Sequence, residues 1–286
     1  MTQPDLLVVA THKNWIAQEF AETGYIPVKH NFGVSAPLYP KERSIAWWMP
    51  TETASRFLYA GVDLNLATLD AEWLSRVPRG MTGRTIFTMT IQEAILSGYK
   101  QHGFCKLAEV KIPDIPAQWI EIDYFTEILL QARVPLDTKI QVSFGLLEID
   151  TEYRCFVNNK EVTTVATYRN KNNIFGQPDF VRDLRGEEWA KDYAKVVSKF
   201  MYDDQPISYT LDIAQLSKGR MVVIEANPVW SSNPYDCNKV EVIKAIIEGS
   251  TTYNNQKTHG KFQWVLDPYL KQYAESRSKL VLDDYN

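Results

Sequence analysis

Residues Asp5 to Ala10 form a short apolar run that predicts a buried strand. From Asn14 to Thr23 the apolar positions recur at helical spacing, and Gly24 stops the pattern. A second strand is expected at Tyr25 to Lys29, so the chain opens as a small α/β layer. Trp47 and Trp48 mark a rise in aromatic density that reads as core rather than as a stacking platform for bases. The stretch VPRGMTGR, Val77 to Arg84, carries one Pro and two Gly and reads as a linker.

Beyond it, Thr90 to Lys100 predicts a helix and Phe104 to Lys111 a strand, while Asp123 to Leu130 fits either extended chain or helix. From Lys139 the alternation is β-like: IQVSFGLLEI leads into the hairpin EYRCFVNNKEVTTVATY, whose Asn-Asn-Lys centre is turn chemistry. Glu187 to Met201 predicts a helix with Trp189, Tyr193, Val196, Val197 and Phe200 on one face. A second hairpin covers Ile207 to Asn227, and Trp264 to Leu282 reads as a closing surface helix.

Composition narrows the class. With 286 residues, 45% of them hydrophobic and 23% charged, the chain can build two or three cooperating subdomains. A formal net charge of -4 speaks against a general nucleic-acid binder. Cys105, Cys155 and Cys237 are too few and too scattered for a disulfide framework or a zinc site. The opening apolar run is too short for a signal peptide, and no stretch approaches bilayer length, so the expected compartment is reducing and cytoplasmic. There is no Gly-x-Gly pair, no Gly-Lys-Ser/Thr loop and no Gly-x-Ser-x-Gly elbow, and His12, His30, His102 and His259 show no ligand spacing.

The second hairpin carries the most chemistry. Its strands, ISYTLDIAQL and RMVVIEANP, meet around Ser217-Lys218-Gly219-Arg220. With Lys218 and Gly219 as a two-residue loop, Ser217 pairs with Arg220 and Asp212 falls opposite Glu225; a four-residue loop from Ser217 to Arg220 keeps that match, and a three-residue loop would break it. Directly opposed side chains lie roughly 5 Å apart, where like charges repel. Asn227, two residues beyond Glu225, shares its face. Two carboxylates and a carboxamide in an apolar hairpin call for a positive partner. All-oxygen donors suit a hard cation such as Mg²⁺; pairing with a Lys or Arg is the alternative. Lys106 in GFCKLAEVK, Lys111 five residues on, and Arg154 in TEYRCFV are the nearest sequence candidates for phosphate cations.

The order of these motifs, FCKLAEVK, the EYRCFVNNKEVTTVATY hairpin, YTLDIAQL and then VVIEANPVWSSNPYD, resembles the ATP-grasp superfamily of carboxylate–amine ligases, closest to its small members with an E-Y-R hairpin. The resemblance runs from about Arg84 to Asp236. It implies an α+β ATP-grasp fold in which two α+β subdomains clamp nucleotide, preceded by a small α/β N-terminal domain. The segments would be 1–83, an N-terminal domain; 84–150, a small subdomain with hinge; and 151–286, a large subdomain with a C-terminal helix.

It further implies ATP and Mg²⁺ as cofactors, with Asp212, Glu225 and Asn227 at the metal-ligand positions. Lys106 matches the lysine that reaches the phosphates, Lys111 the second basic residue, and Arg154 the arginine that meets the γ-phosphate or acyl-phosphate. The segment SFGLLEI looks like the interlobe hinge, with backbone at Leu146 and Leu147 for adenine and Glu148 for the ribose hydroxyls. Ser231, Ser232 and Asn233 resemble the loop that faces an acceptor. Trp230 and Tyr235 flank that loop, where stacking on a flat or extended substrate is one role and packing the favoured one for each. The loop between Lys106 and Lys111 departs from the family in having no glycine. The implied activity is ATP-dependent C–N ligation of a small-molecule or peptide carboxylate to an amine through an acyl-phosphate. A phosphotransferase or a non-catalytic nucleotide-binding protein on the same fold is the alternative. No membrane or nucleic-acid partner is expected, and a homodimer is allowed for.

Overall fold

The computed structural model describes residues 3–33, 35–37, 39–110, 115–254 and 256–283, with side chains to residue 277. The chain divides into two compact units: Met1–Leu69 with Glu148–Trp264, and Asp70–Leu147 with Val265–Asn286. Of the segments expected above, 84–150 lies in the second unit except for its last three residues, while 1–83 and 151–286 each contribute to both.

The first unit begins with β1 (Leu6–Ala10), α1 (Asn14–Glu22), β2 (Val28–Asn31), β3 (Ile45–Trp48) and α2 (Thr51–Tyr59). The three strands are parallel in the order β2-β1-β3. β2 starts later than the apolar pattern proposes because Pro27 has no N–H for the ladder. It offers only its carbonyl, which accepts from Leu7 N at 2.9 Å. Leu7, Val9, Ala46 and Trp48 share a core with Ile16 and Phe20 of α1. Trp47 turns the other way, edge-on to Phe57 of α2 at 6.3 Å. Both tryptophans are thus core, as expected.

The second unit holds α3 (Trp73–Arg76), α4 (Arg79–Thr82), β4 (Thr85–Thr90), α5 (Ile91–Ser97), β5 (His102–Leu107), β6 (Gln118–Glu121), α6 (Ile122–Gln131) and β7 (Lys139–Phe144). Its antiparallel sheet runs β4-β7-β5-β6. The segment expected to be a linker instead forms α4, with Val77 and Thr82 buried; Pro78 precedes a first turn that needs no proline N–H. Thr90 and Glu93 close a capping box that starts α5. The ambiguous stretch after Ile122 is helix α6, because Ile122, Phe125, Thr126 and Leu129 fall on one buried stripe.

The chain returns to the first unit with β8 (Ile149–Asn158), β9 (Glu161–Asn170), β10 (Asn173–Ile174), α7 (Leu184–Phe200), β11 (Ser208–Leu216), β12 (Met221–Asn227) and α8 (Lys239–Ser250). The last helix, α9 (Pro268–Asp283), belongs to the second unit. The antiparallel sheet β10-β9-β8-β11-β12 is the frame of the site. Asn159 and Lys160, at φ 50° and 66°, make the tight β8–β9 loop.

Central β8 is covered on both faces. Cys155 lies under Ala190 of α7, and Phe156 shares the α8 core. The buried side of α7 corrects the expectation from spacing. It presents Gly186, Glu187, Ala190, Ala194, Val197 and Ser198, whereas Trp189, Val196 and Phe200 are exposed. Close packing on a sheet favours small residues, and at Gly186 an added Cβ would sit 2.0 Å from the Tyr153 hydroxyl.

Candidate active site

The face of the sheet opposite α7 gathers the acids of the second hairpin. Asp212 pairs directly with Glu225, and Thr210 with Asn227. The expected juxtaposition is therefore present, but the loop is neither the two-residue nor the four-residue one. Leu216 N donates to Arg220 O, leaving Ser217, Lys218 and Gly219 as a three-residue loop with Gly219 at φ 79°. Nearer the turn Ile213 pairs with Val223, and a bulge between there and Asp212 takes up the extra residue, Ile224. The bulge restores the register that the odd loop would have lost.

Asn227 Nδ2 lies 3.0 Å from Glu225 Oε1 and 3.4 Å from Asp212 Oδ2, so the three side chains converge. On the other side of β11, Arg154 stands opposite Asp212 in the β8–β11 register. Its Nε donates to Oδ1 at 2.8 Å and its Nη2 to Oδ2 at 2.7 Å. Asp212 is wholly buried and Arg154 is 6% exposed. Burial pulls the guanidinium pKa down, but the charge and hydrogen bonds of Asp212 outweigh it and hold Arg154 well above its ordinary value. The alternative pairing of Asp212 with an arginine is thus realised within the same cluster.

A guanidinium has five N–H groups. Two are spent on Asp212 and one reaches Asn233 O at 3.4 Å. Tyr168 and Tyr235 stack on each other, with centroids 5.0 Å apart and planes 10° apart, and their centroids lie 5.5 and 5.1 Å from the Arg154 Cζ. The Tyr168 hydroxyl donates to Glu152 Oε2 at 2.5 Å, and Arg169 pairs with the other oxygen of Glu152. Burial, then the charges of Asp212, Glu152 and Glu225, push the Tyr168 phenol well above its ordinary pKa, so it stays protonated as a donor.

Sequence reasoning gives no chemical role to Glu152 or Tyr168, and for Tyr235 it considers stacking on a substrate rather than on Arg154. Glu152 does carry a signal, since it alternates with Arg154 along β8. Tyr168 joins the cluster only through a bulge in β9 between Glu152 and Tyr153 of the partner strand.

The other residues divide plainly. Trp230 is buried and its N–H donates to Ala67 O at 2.7 Å, a packing role. Ser232 is buried, with its hydroxyl 2.9 Å from that of Thr210. Glu148 accepts from the Ser217 hydroxyl at 2.9 Å. Leu146 is exposed and Leu147 half-buried, after the β7 end. Lys106 is half-buried on β5 of the second unit, paired in register with Gln141. Lys111 lies outside the described residues. Cys105, Cys155 and Cys237 are free and buried.

Carboxylate and carboxamide oxygens fit a hard divalent cation in kind. The amide of Asn227 presents its nitrogen to both acids, and a half-turn about its terminal bond presents the oxygen instead. Among the described residues no cluster of three His, Cys, Asp or Glu side chains with metal-holding geometry is present. Glu225 and Asp212 are two acids, and Asn227 is the third donor.

A family model described as an ATP-grasp domain, family 2 of the R-two-K clade, matches residues 81–245, more than half of the chain. The protein belongs to the ATP-grasp family, and its fold is the α+β ATP-grasp fold. Within that family the match is to the second family of this one clade.

Comparison with curated protein sequences gives no match. Solved structures similar to the chain include a RimK-domain ATP-grasp protein from Sphaerobacter thermophilus, at 13% identity, covering 84% of this chain and 97% of that one with a TM-score of 0.46. Another is the macrocyclase MdnC from Microcystis aeruginosa bound with precursor peptide MdnA, at 10% identity, 85% and 98% coverage and a TM-score of 0.45. D-cycloserine synthetase DcsG has 10% identity, 96% and 99% coverage and a TM-score of 0.45. No helix among the described residues is long and apolar enough to cross a membrane.

Proposed function

We propose that the protein is an ATP- and Mg²⁺-dependent ligase that joins a carboxylate to an amine through an acyl-phosphate. The observation that carries this reading is the convergence of Asp212, Glu225 and Asn227 on one sheet face of an ATP-grasp chain. Mg²⁺ held by these three residues supplies charge neutralisation at the nucleotide phosphates.

Arg154 fixes the Asp212 carboxylate by two hydrogen bonds and compensates its charge in a buried setting. Its two remaining N–H groups are donors for an oxygen of the transferring phosphoryl group. Tyr168 and Tyr235 hold the guanidinium plane and leave it little freedom to swing away. Lys106, with Lys111 as a second cation, is assigned to the phosphates, Glu148 to the ribose, and the backbone of Leu146 and Leu147 to adenine.

In the first step a carboxylate oxygen attacks the γ-phosphorus and ADP leaves. In the second, the amine attacks the acyl carbon, phosphate leaves, and the amine gives up a proton. The protein's part is positioning and charge compensation, so no side-chain nucleophile is required. Losing one such electrostatic contact costs about 3 kcal/mol, or roughly a hundredfold in rate.

The test is ATP consumption in the presence of Mg²⁺ across pairs of amino acids and small acids, with mass spectrometry of the products. Phosphate release that requires both an acid and an amine is the expected result. Diphosphate release would point to an adenylate instead, and phosphate retained on the product to a phosphotransferase. Nucleotide bound but never consumed would sink the enzymatic reading.

A further inference from the structure

Helix α7 packs its small residues onto the sheet and turns large ones outward. Trp189, Val196 and Phe200 are 45%, 55% and 61% exposed, and Tyr193 among them is half-buried. Their spacings of four, three and four residues set them in one line along the helix, the pattern of a coiled-coil seam. The Arg185 guanidinium lies 4.7 Å over the Trp189 ring at the N-terminal end of that line. An aromatic side chain carries roughly 150–250 Å² of surface, so the stripe leaves on the order of 300 Å² of apolar surface in water. A patch of that size is often an interaction surface.

The charges beside the stripe indicate what covers it. Glu188, Asp192, Lys195 and Lys199 each precede a stripe residue by one position, so they form a second line alongside the first. All four are exposed. From the N-terminus this line reads acidic, acidic, basic, basic, which makes the helix complementary to itself in the antiparallel sense. Glu188 and Asp192 of one copy then lie beside Lys199 and Lys195 of the other, and two-fold symmetry repeats the match. Parallel packing would instead set like charges level with one another. Within one copy Lys195 meets Asp192 at 2.9 Å, but these side chains are 48% and 75% exposed. A surface pair of that kind is weak enough to re-form across an interface.

We propose that the protein self-associates as a two-fold dimer through the outer face of α7, with the two helices antiparallel and Trp189, Tyr193, Val196 and Phe200 as the seam. The helix has 17 residues, a length of about 25 Å. Seam and charged flanks together bury on the order of 1,000 Å² counted over both copies, the lower end of specific interfaces, so the dimer forms in the micromolar range. A partner of different sequence would have to bring both an apolar line and the reversed order of charges, whereas a second copy brings both by symmetry. The α7 face of the sheet lies opposite the acids of the second hairpin, so the pairing uses none of them.

The inference is independent of the ATP chemistry and is tested without nucleotide, by sedimentation equilibrium of the full-length protein from about 1 to about 100 µM. Dimer should dominate at the upper end of that range. Val196→Asp should raise the dimer Kd by roughly tenfold or more, whereas Leu96→Asp, at a residue of α5 that is 78% exposed, should leave it unchanged. Two double variants test the charge order. Glu188→Lys with Asp192→Lys makes the line wholly basic, and Lys195→Glu with Lys199→Glu makes it wholly acidic. Each alone should be monomeric, and an equimolar mixture of the two should dimerise, which also shows that both have folded.

A parent protein that stays monomeric up to about 100 µM would overturn the proposal and leave the stripe to a different partner. A dimer indifferent to Val196→Asp would place the interface elsewhere. A mixture of the two charge variants that associates no better than either alone would refute the antiparallel pairing.

Discussion

Arg154 and Asp212 are each withdrawn from water, so removing one strands the charge of the other. Arg154→Met should therefore destabilise the protein by about 3–5 kcal/mol in urea unfolding. The double variant Arg154→Met with Asp212→Leu should recover most of that loss while ATP turnover stays absent. A double variant as unstable as the single one would show that the pair is not the source of the effect. His259 makes a pH prediction at the same scale. Its Nε2 is buried without a partner, and burial lowers its pKa below the ordinary 6.5, against a hydrogen bond to the Asn65 backbone that raises it. As the pH falls the unfolded chain binds the proton first, so stability is full above about 6.5 and declines as the pH drops through the folded-state value. Urea midpoints between neutral and mildly acidic pH should show this decline, and His259→Gln should flatten it. The acids and Asn227 are legible in the sequence because strand alternation is local. The arginine's partner is not, because Arg154 and Asp212 are 58 residues apart and meet only through the pairing of β8 with β11.

The second hairpin shows how a correct juxtaposition can rest on an incorrect turn. The sequence from Ser217 to Arg220 suggests an even loop, but the chain makes an odd one and corrects itself with a bulge at Ile224. Bulges leave no pattern in hydrophobicity when the extra residue is itself apolar, as isoleucine is. Gly219 carries the loop at φ 79° with open space around its missing Cβ. Gly219→Ala should then cost about 1 kcal/mol of backbone strain alone, read from the urea midpoint, and leave ATP turnover intact. Gly186→Ala is the opposite case, because its Cβ would collide with the Tyr153 hydroxyl, which itself donates to Asp183 at 2.7 Å. Overpacking of that kind should destabilise by about 1–3 kcal/mol or more. The buried face of helix α7 escapes its sequence pattern for a related reason. Large apolar residues recur at helical spacing, but contact with the sheet is made by the small ones, and size complementarity is invisible to a count of hydrophobic positions.

At the scale of the molecule, the sequence suggests consecutive segments, whereas the compact units interleave: the chain passes between them near residues 69, 147 and 264. Local patterning identifies strands and helices but carries no record of which distant segments share a core. The family match lies within 81–245 and so spans parts of both units. Mg²⁺-ATP at about a hundred times its Kd should stabilise the folded state by about 2.7 kcal/mol, equivalent to a rise of roughly 4–5 °C in Tm for a chain of this size. ATP without Mg²⁺ should give a smaller rise, because the phosphates would face Asp212 and Glu225 with no cation between. Glu225→Gln should abolish that difference, so that both forms of the nucleotide shift Tm equally, while the unliganded protein melts close to the parent. Lys106→Met should reduce both shifts and leave their difference intact. A Glu225→Gln protein that still distinguishes Mg²⁺-ATP from ATP by the full margin would remove Glu225 from the metal set, and the convergence with Asp212 and Asn227 would then be a structural ion-pair network centred on Arg154.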